Sequence, residues 1–229
     1  MAAFSLFGMS GVAHAVPVSW TDWTSGVVGT SGSGIGNISL GGSTISVGYT
    51  GEVRTIQTSG GTNWWTEGTP APYTGNAVID NAPPASDIIT VQGAGITNTI
   101  TFSTPLVDPV MAFVSIGQPG LPVDYAFDAT FRLLSEGEGW WGDGSWTQAG
   151  NTLTGREAHG AIQFNGTFSS ISWTNNPAEN WHGFTIGATV IPIPAAAWLF
   201  ATGLLSLLGF TKVNSGLFSR KTIASTRTA

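Results

Sequence analysis

The chain has 229 residues, of which 9% are charged, with 32 glycines, 10 tryptophans and no cysteine. That length suits one sizeable domain plus targeting segments, and the lack of cysteine removes thiolate metal sites and thiol nucleophiles. All 13 carboxylates lie between Asp22 and Glu179, where the only basic side chains are Arg54, Arg132 and Arg156; such an acidic body argues against nucleic acid, which requires a positive surface.

The N-terminal stretch is apolar and ends in Ala13-His14-Ala15 before Val16. Small side chains at Ala13 and Ala15 are what signal peptidase accepts, so residues 1–15 read as a secretory leader cleaved before Val16. No Lys or Arg precedes the apolar core, which places the start of that leader upstream of Met1. A buried N-terminal strand or helix is the alternative.

Residues 16–190 read as an all-β body. Gly, Ser and Thr punctuate short apolar runs throughout, favouring strands and turns over long helices. Strands are expected at Gly36–Leu40, Thr44–Tyr49, Val53–Thr58 and Ile88–Gln92. Ile96, Ile100 and Phe102 alternate with threonines. Pro109–Ile116 is apolar at nearly every position and predicts a strand buried on both faces. Val123–Leu133 alternates apolar with polar side chains along its whole length, as one half-buried strand would. Asn165-Gly166 between two apolar runs predicts a hairpin with a type I′ turn. Phe184–Val190 again alternates. Ten or more short strands without a long amphipathic helix predict a β-sandwich of jelly-roll type, with a closed barrel as the alternative.

The segment Glu136-Gly-Glu138-Gly-Trp140-Trp141-Gly-Asp143-Gly-Ser-Trp146 is the strongest candidate for binding. Indoles beside carboxylates stack on sugar rings and accept hydroxyl hydrogen bonds, so Trp140, Trp141, Asp143 and Trp146 form a candidate glycan site, with Asn63-Trp64-Trp65 as an addition. Flanking glycines suggest a mobile loop. In the opposing reading these tryptophans cap the open end of a sandwich. The carboxylate pairs Glu136/Glu138 and Asp143/Glu157 allow an envelope glycan hydrolase as an alternative, but no spacing fixes their separation. His159 and His182 are far apart in sequence with no metal-ligand spacing, and no nucleophile elbow, phosphate loop or dinucleotide fingerprint occurs. No catalytic residue, metal site or cofactor is therefore expected.

From Ile191 to Phe210 the chain is uncharged; Lys212, Arg220 and Lys221 follow. Twenty residues at ~1.5 Å rise match a ~30 Å hydrocarbon core, so 191–211 predicts a single transmembrane helix. The basic tail 212–229 would then lie in the cytoplasm and the body across the membrane. The order Ile191-Pro192-Ile193-Pro194-Ala195-Ala-Ala-Trp198-Leu-Phe200 resembles the PEP-CTERM sorting domain, in its Val-Pro-Leu-Pro-Ala variant. Ile193 stands where the family's Pro-Glu-Pro form has Glu, and the tail is longer and less densely basic than usual. The stretches Ser170-Ile-Ser-Trp173 and Asn180-Trp-His-Gly-Phe-Thr185 are also similar to proteins that carry this domain. The resemblance implies recognition of Ile191–Ala195 by an exosortase-type membrane enzyme and a final place at the cell surface or in an extracellular polysaccharide matrix. It implies a structural or adhesive role, with polysaccharide as a partner, and no particular activity.

Overall fold

A computed structural model describes residues 15–189. Ala13, the sorting motif Ile191–Ala195, the expected membrane span and the tail residues Lys212, Arg220 and Lys221 lie outside the described residues. Among those described, no helix is long and apolar enough to cross a membrane.

Fifteen strands form among the described residues: β1 (Val18–Trp20), β2 (Asp22–Val27), β3 (Gly29–Leu40), β4 (Ser43–Val53), β5 (Thr55–Gln57), β6 (Ile88–Val91), β7 (Thr97–Val107), β8 (Val110–Ile116), β9 (Val123–Phe127), β10 (Phe131–Glu136), β11 (Ser145–Ala149), β12 (Thr152–Arg156), β13 (Ala158–Phe164), β14 (Thr167–Asn176) and β15 (His182–Thr189). They make two antiparallel sheets. The seven-stranded sheet runs β10-β13-β8-β15-β6-β5, with β1 also on β15, and the eight-stranded sheet runs β11-β12-β9-β14-β7-β4-β3-β2. From β6 to β10, and again from β12 to β15, each successive strand changes sheet.

The alternating apolar faces of both sheets meet in one core. Its aromatic contacts cross from sheet to sheet: Tyr49 with Phe184 at 5.3 Å, Trp173 with Phe184 at 5.0 Å, Phe113 with Tyr125 at 5.4 Å and Phe127 with Phe164 at 5.2 Å between ring centroids. A polar knot closes one end. The Tyr49 hydroxyl lies 2.6 Å from both the Glu52 carbonyl and Asn98 Oδ1, Asn98 Nδ2 donates to Asn175 Oδ1, and Glu52 Oε2 accepts the amides of Gln92 and Gly93.

β8, β13 and β15 are buried along both faces apart from the end of β15. The run from Val110 to Ile116 behaves as its composition requires, whereas Phe184–Thr189 is more deeply buried than its alternation suggests. The cause is a second apolar layer. Trp65, Tyr73 and Ile79, from the irregular segment 58–87, pack with Val18, Trp20, Val110, Ala112, Val114 and Ala161 on the outer face of the seven-stranded sheet. That segment's backbone is satisfied by side chains: Glu67 Oε1 accepts the amides of Tyr73 and Thr74, and Asn76 Oδ1 those of Val78 and Ile79.

Three expectations need correction. Val123–Leu133 is two strands in different sheets, broken at Asp128–Thr130 where the chain crosses over. Asp128 is the corner: its amide donates to the Ser172 carbonyl and its carboxylate accepts the Ser172 amide. Apolar parity survives the crossing because both strands face the same core. Nor is Asn165-Gly166 a hairpin turn, since β13 and β14 belong to opposite sheets. Of these two residues only Gly166 has a positive φ (128°), and its amide and carbonyl bond to Asp108 instead. The strand expected at Val53–Thr58 is interrupted at Arg54 and retains Thr55–Gln57.

Phe113 is fully buried between the sheets, so Phe113→Ala should lose about 3–5 kcal/mol of stability in urea denaturation. Val27, 62% exposed on edge strand β2, should tolerate Thr within about 0.5 kcal/mol in the same measurement.

Candidate functional site: a tryptophan platform beside an acidic recess

Four indoles from three separate loops converge. Trp64 stacks on Trp141 (5.3 Å, planes 10° apart), meets Trp140 edge-on at 5.0 Å and Trp181 at 5.1 Å; Trp141 lies 4.8 Å from Trp181. Trp140 and Trp141 are 43% and 46% exposed, although the other tryptophans among the described residues are buried or half-buried. Trp146 does not join them. It sits on the inward face of β11, 5% exposed, edge-on to Phe113 and against Gly160. Trp65 is likewise buried, against Tyr73 in the outer layer.

The loop that carries Trp140 and Trp141 is pinned along its length. Gly68 donates to the Glu138 carbonyl, Glu138 to Pro70, Gly137 to His159, and Gly139 and Gly142 pair with each other. Its glycines serve close approach rather than freedom. A side chain at Gly137 would strike the Pro70 carbonyl, and one at Gly139 the His159 ring.

Beneath the indoles lie two adjoining recesses. The smaller, about 240 Å³, is lined by Ser115, Gln118, Pro119, Trp141, Glu157, Asn180 and Trp181. The larger, about 570 Å³, shares Pro119, Trp141 and Glu157 with it and adds Glu136, Asp143 and Arg156. Asp143 and Glu157, paired on sequence grounds, thus share a wall, and Glu136 joins them. Glu138 lines neither recess and reaches back to the Thr69 amide (3.4 Å). Ser115, Asn180 and Trp181 belong to the site, yet no sequence signal marked Ser115, and Asn180 and Trp181 entered only within a stretch of family resemblance.

Ser115 is there because of a bulge. Phe113 pairs with Gly160 and Ile116 with Ala158, so Val114 and Ser115 together oppose His159. Ser115 takes a left-handed backbone (φ 59°), and so does Glu157 across from it (φ 57°); each such conformation costs of order 1–3 kcal/mol for a residue other than glycine. The Ser115 hydroxyl donates to Glu157 Oε1. Burial pushes the Glu157 carboxyl above the usual range; the Ser115 bond opposes this and the negative charge of Glu179 adds to it.

Behind the recess, Glu179 Oε1 accepts the Gly117 amide at 2.8 Å and pairs with His182 Nδ1. His159 is fully buried, and its Nδ1 accepts the Ser115 amide at 3.2 Å. The two histidines lie on β13 and β15, which are separated by β8. Among the described residues no three His, Asp or Glu side chains converge as a metal site would require. Comparison of the chain with protein-family models, with curated proteins and with solved structures finds no match.

Desolvation lowers the His159 pKa from 6.5 to about 4. Between those values the unfolded chain binds a proton that the folded one refuses, so this group alone removes up to about 3 kcal/mol as the pH falls from 7 to 4. Glu157 and Asp87, whose pKa values burial raises, take up protons in the folded state first and oppose the trend just above the ordinary carboxylate range. The difference between wild type and His159→Asn in denaturation at pH 7, 5.5 and 4 isolates the ring. The gap should shift in favour of the variant on acidification, and parallel curves would contradict a buried neutral imidazole.

Proposed function

We propose that the chain is an exported protein of the cell envelope or extracellular matrix, sorted through residues 191–229, with a structural or adhesive role for its body. The body makes its matrix contacts by binding polysaccharide on the Trp64–Trp140–Trp141–Trp181 platform. One observation carries the binding part of this reading: two exposed indoles held in a pinned loop above a recess lined by carboxylates, hydroxyl and amide groups. Exposed, ordered aromatic faces beside polar hydrogen-bonding groups suit the alternating apolar and hydroxyl surfaces of a sugar ring. The order of strands supports a jelly-roll reading of the sandwich, in which β6, β15, β8 and β13 face β7, β14, β9 and β12. That architecture is shared with lectin domains, an analogy of fold rather than of site.

The reading assigns no catalytic step, metal or cofactor to the body, and no nucleic acid partner. Residues 1–15 act as the leader. The span 191–211 holds the body at the outer face of the inner membrane, with Lys212, Arg220 and Lys221 on the cytoplasmic side, until an exosortase-type enzyme acts at Ile191–Ala195.

Two measurements test these parts separately. Titration with a panel of soluble polysaccharides should quench or shift tryptophan fluorescence, and the double variant Trp140→Ala/Trp141→Ala should lose that response while melting near the wild-type temperature. An unaltered response in the double variant would move binding elsewhere. Mass spectrometry of the C-terminus in membrane and medium fractions of the native host should find chains ending near Pro192–Ala195. Intact Thr228-Ala229 ends confined to the membrane would leave a plain anchor in place of a sorting signal.

A further inference from the structure

We propose that the recess beside the platform selects a glycan bearing protonated amines, a de-N-acetylated amino-sugar polymer, over neutral and over uronate-bearing glycans. The proposal rests on the glycan-binding reading above and adds the charge of the ligand.

Two independent features of the site favour a cation. The first is its charge. Glu136, Asp143 and Glu157 face the paired recesses and Arg156 is the single cation among their lining residues. Glu157 is half-buried beside Trp141, where lower dielectric strengthens its pull on an ammonium group. A uronate chain would bring like charge against these carboxylates, and a neutral chain would leave them unmatched. The second is the platform itself. Trp141 and Trp181 border the smaller recess, and an indole is the side chain that attracts an ammonium most strongly through its ring face.

Size and continuity favour a repeating polymer. At about 240 Å³ the smaller recess falls below the ~300–1,000 Å³ of pockets that enclose a drug-sized ligand, so it admits one sugar ring. The larger recess adjoins it through Pro119, Trp141 and Glu157, which gives the next ring of the same chain a place. Ser115, Gln118 and Asn180 supply neutral groups for the ring hydroxyls. Glu157, bordering both spaces and held in place by Ser115, is the specificity-determining residue.

The test is calorimetric titration of the full chain, in a nonionic detergent at near-physiological salt, with hexamers of glucosamine, N-acetylglucosamine and galacturonate. The glucosamine hexamer should bind about tenfold or more tighter than the acetylated one, with the galacturonate hexamer weakest. Glu157→Gln should abolish most of that preference by weakening the glucosamine hexamer far more than the acetylated one, and Trp140→Ala/Trp141→Ala should weaken both. Equal or tighter binding of the acetylated hexamer, still lost in the tryptophan variant, would overturn the charge selection and leave glycan binding standing. Glucosamine binding that ignores the tryptophan change would reveal diffuse attraction of a polycation to an acidic body and would also overturn the proposal. Absence of binding by any hexamer would overturn both readings.

Discussion

The seven-stranded sheet is apolar on two faces, and the structure follows from having to cover both. Its inner face is covered by the eight-stranded sheet through the usual alternation of a sandwich. Its outer face has no third sheet, so Val110, Ala112, Val114 and Ala161 are covered by Trp65, Tyr73 and Ile79 of the irregular segment 58–87. At ~25 cal/mol per Å² and 150–250 Å² for each buried aromatic, Trp65 and Tyr73 each contribute several kcal/mol of gross stabilisation. That burial helps to order a segment that has no strand ladder of its own. Its path has a consequence at the end of the sandwich. Gly68 and Pro70 bond to Glu138, which locks the covering segment to the 137–144 loop and brings Trp64 against Trp140 and Trp141. The platform is thus a by-product of covering the sheet, in position if not in use.

How much of this was legible in the sequence depends on what period two can encode. Alternation reports which face of a strand is apolar, and Ile100, Phe102, Tyr125 and Phe127 fall on the inward face as their spacing requires. A run apolar at every position reports two covered faces, as at Val110–Ile116. Alternation says nothing about which sheet a strand joins. All three misread segments, Val53–Thr58, Val123–Leu133 and Phe164–Thr167, are crossings between sheets, where parity or turn chemistry continues while the hydrogen-bonding partner changes. The Asn-Gly pair illustrates the point, since a hairpin needs two positive φ values and Gly166 supplies the single one present.

The candidate site was legible in part for a related reason. Trp140, Trp141 and Asp143 stand in a loop and reach the surface, whereas Trp146 is already on β11, whose inward face it occupies. The same contrast separates Trp64 from Trp65, one residue apart with opposite directions. Glycine spacing was misleading because a glycine can mark freedom or crowding. At Gly137 and Gly139 it marks crowding, against Pro70 and His159. Ser115 left no trace, because a bulge within an apolar strand is a feature of register, which depends on the partner strand.

Several costs in this protein gather around the recess, though Asp108 (φ 46°) and the unpaired Trp65 Nε1 and Trp173 Nε1 lie elsewhere. Ser115 and Glu157 both hold left-handed backbones there. Just behind them His159 Nε2, Glu179 Oε2 and His182 Nε2 are buried without hydrogen-bond partners, and Tyr125, whose hydroxyl is also unpaired, stacks edge-on to His182. Each unsatisfied polar group of this kind costs roughly 1–3 kcal/mol. A sandwich with two covered faces and one continuous aromatic core can tolerate such costs, but packing gives no reason for them to collect at one end. The neighbouring polar knot offers the contrast, because Tyr49, Asn98, Asn175 and Glu52, linked to Glu179 through Gln92, pair nearly every polar atom they bury. Two left-handed residues in the walls of one recess, with unpaired polar atoms just behind them and indoles in solvent above, form the pattern of a surface shaped for contact with something other than itself.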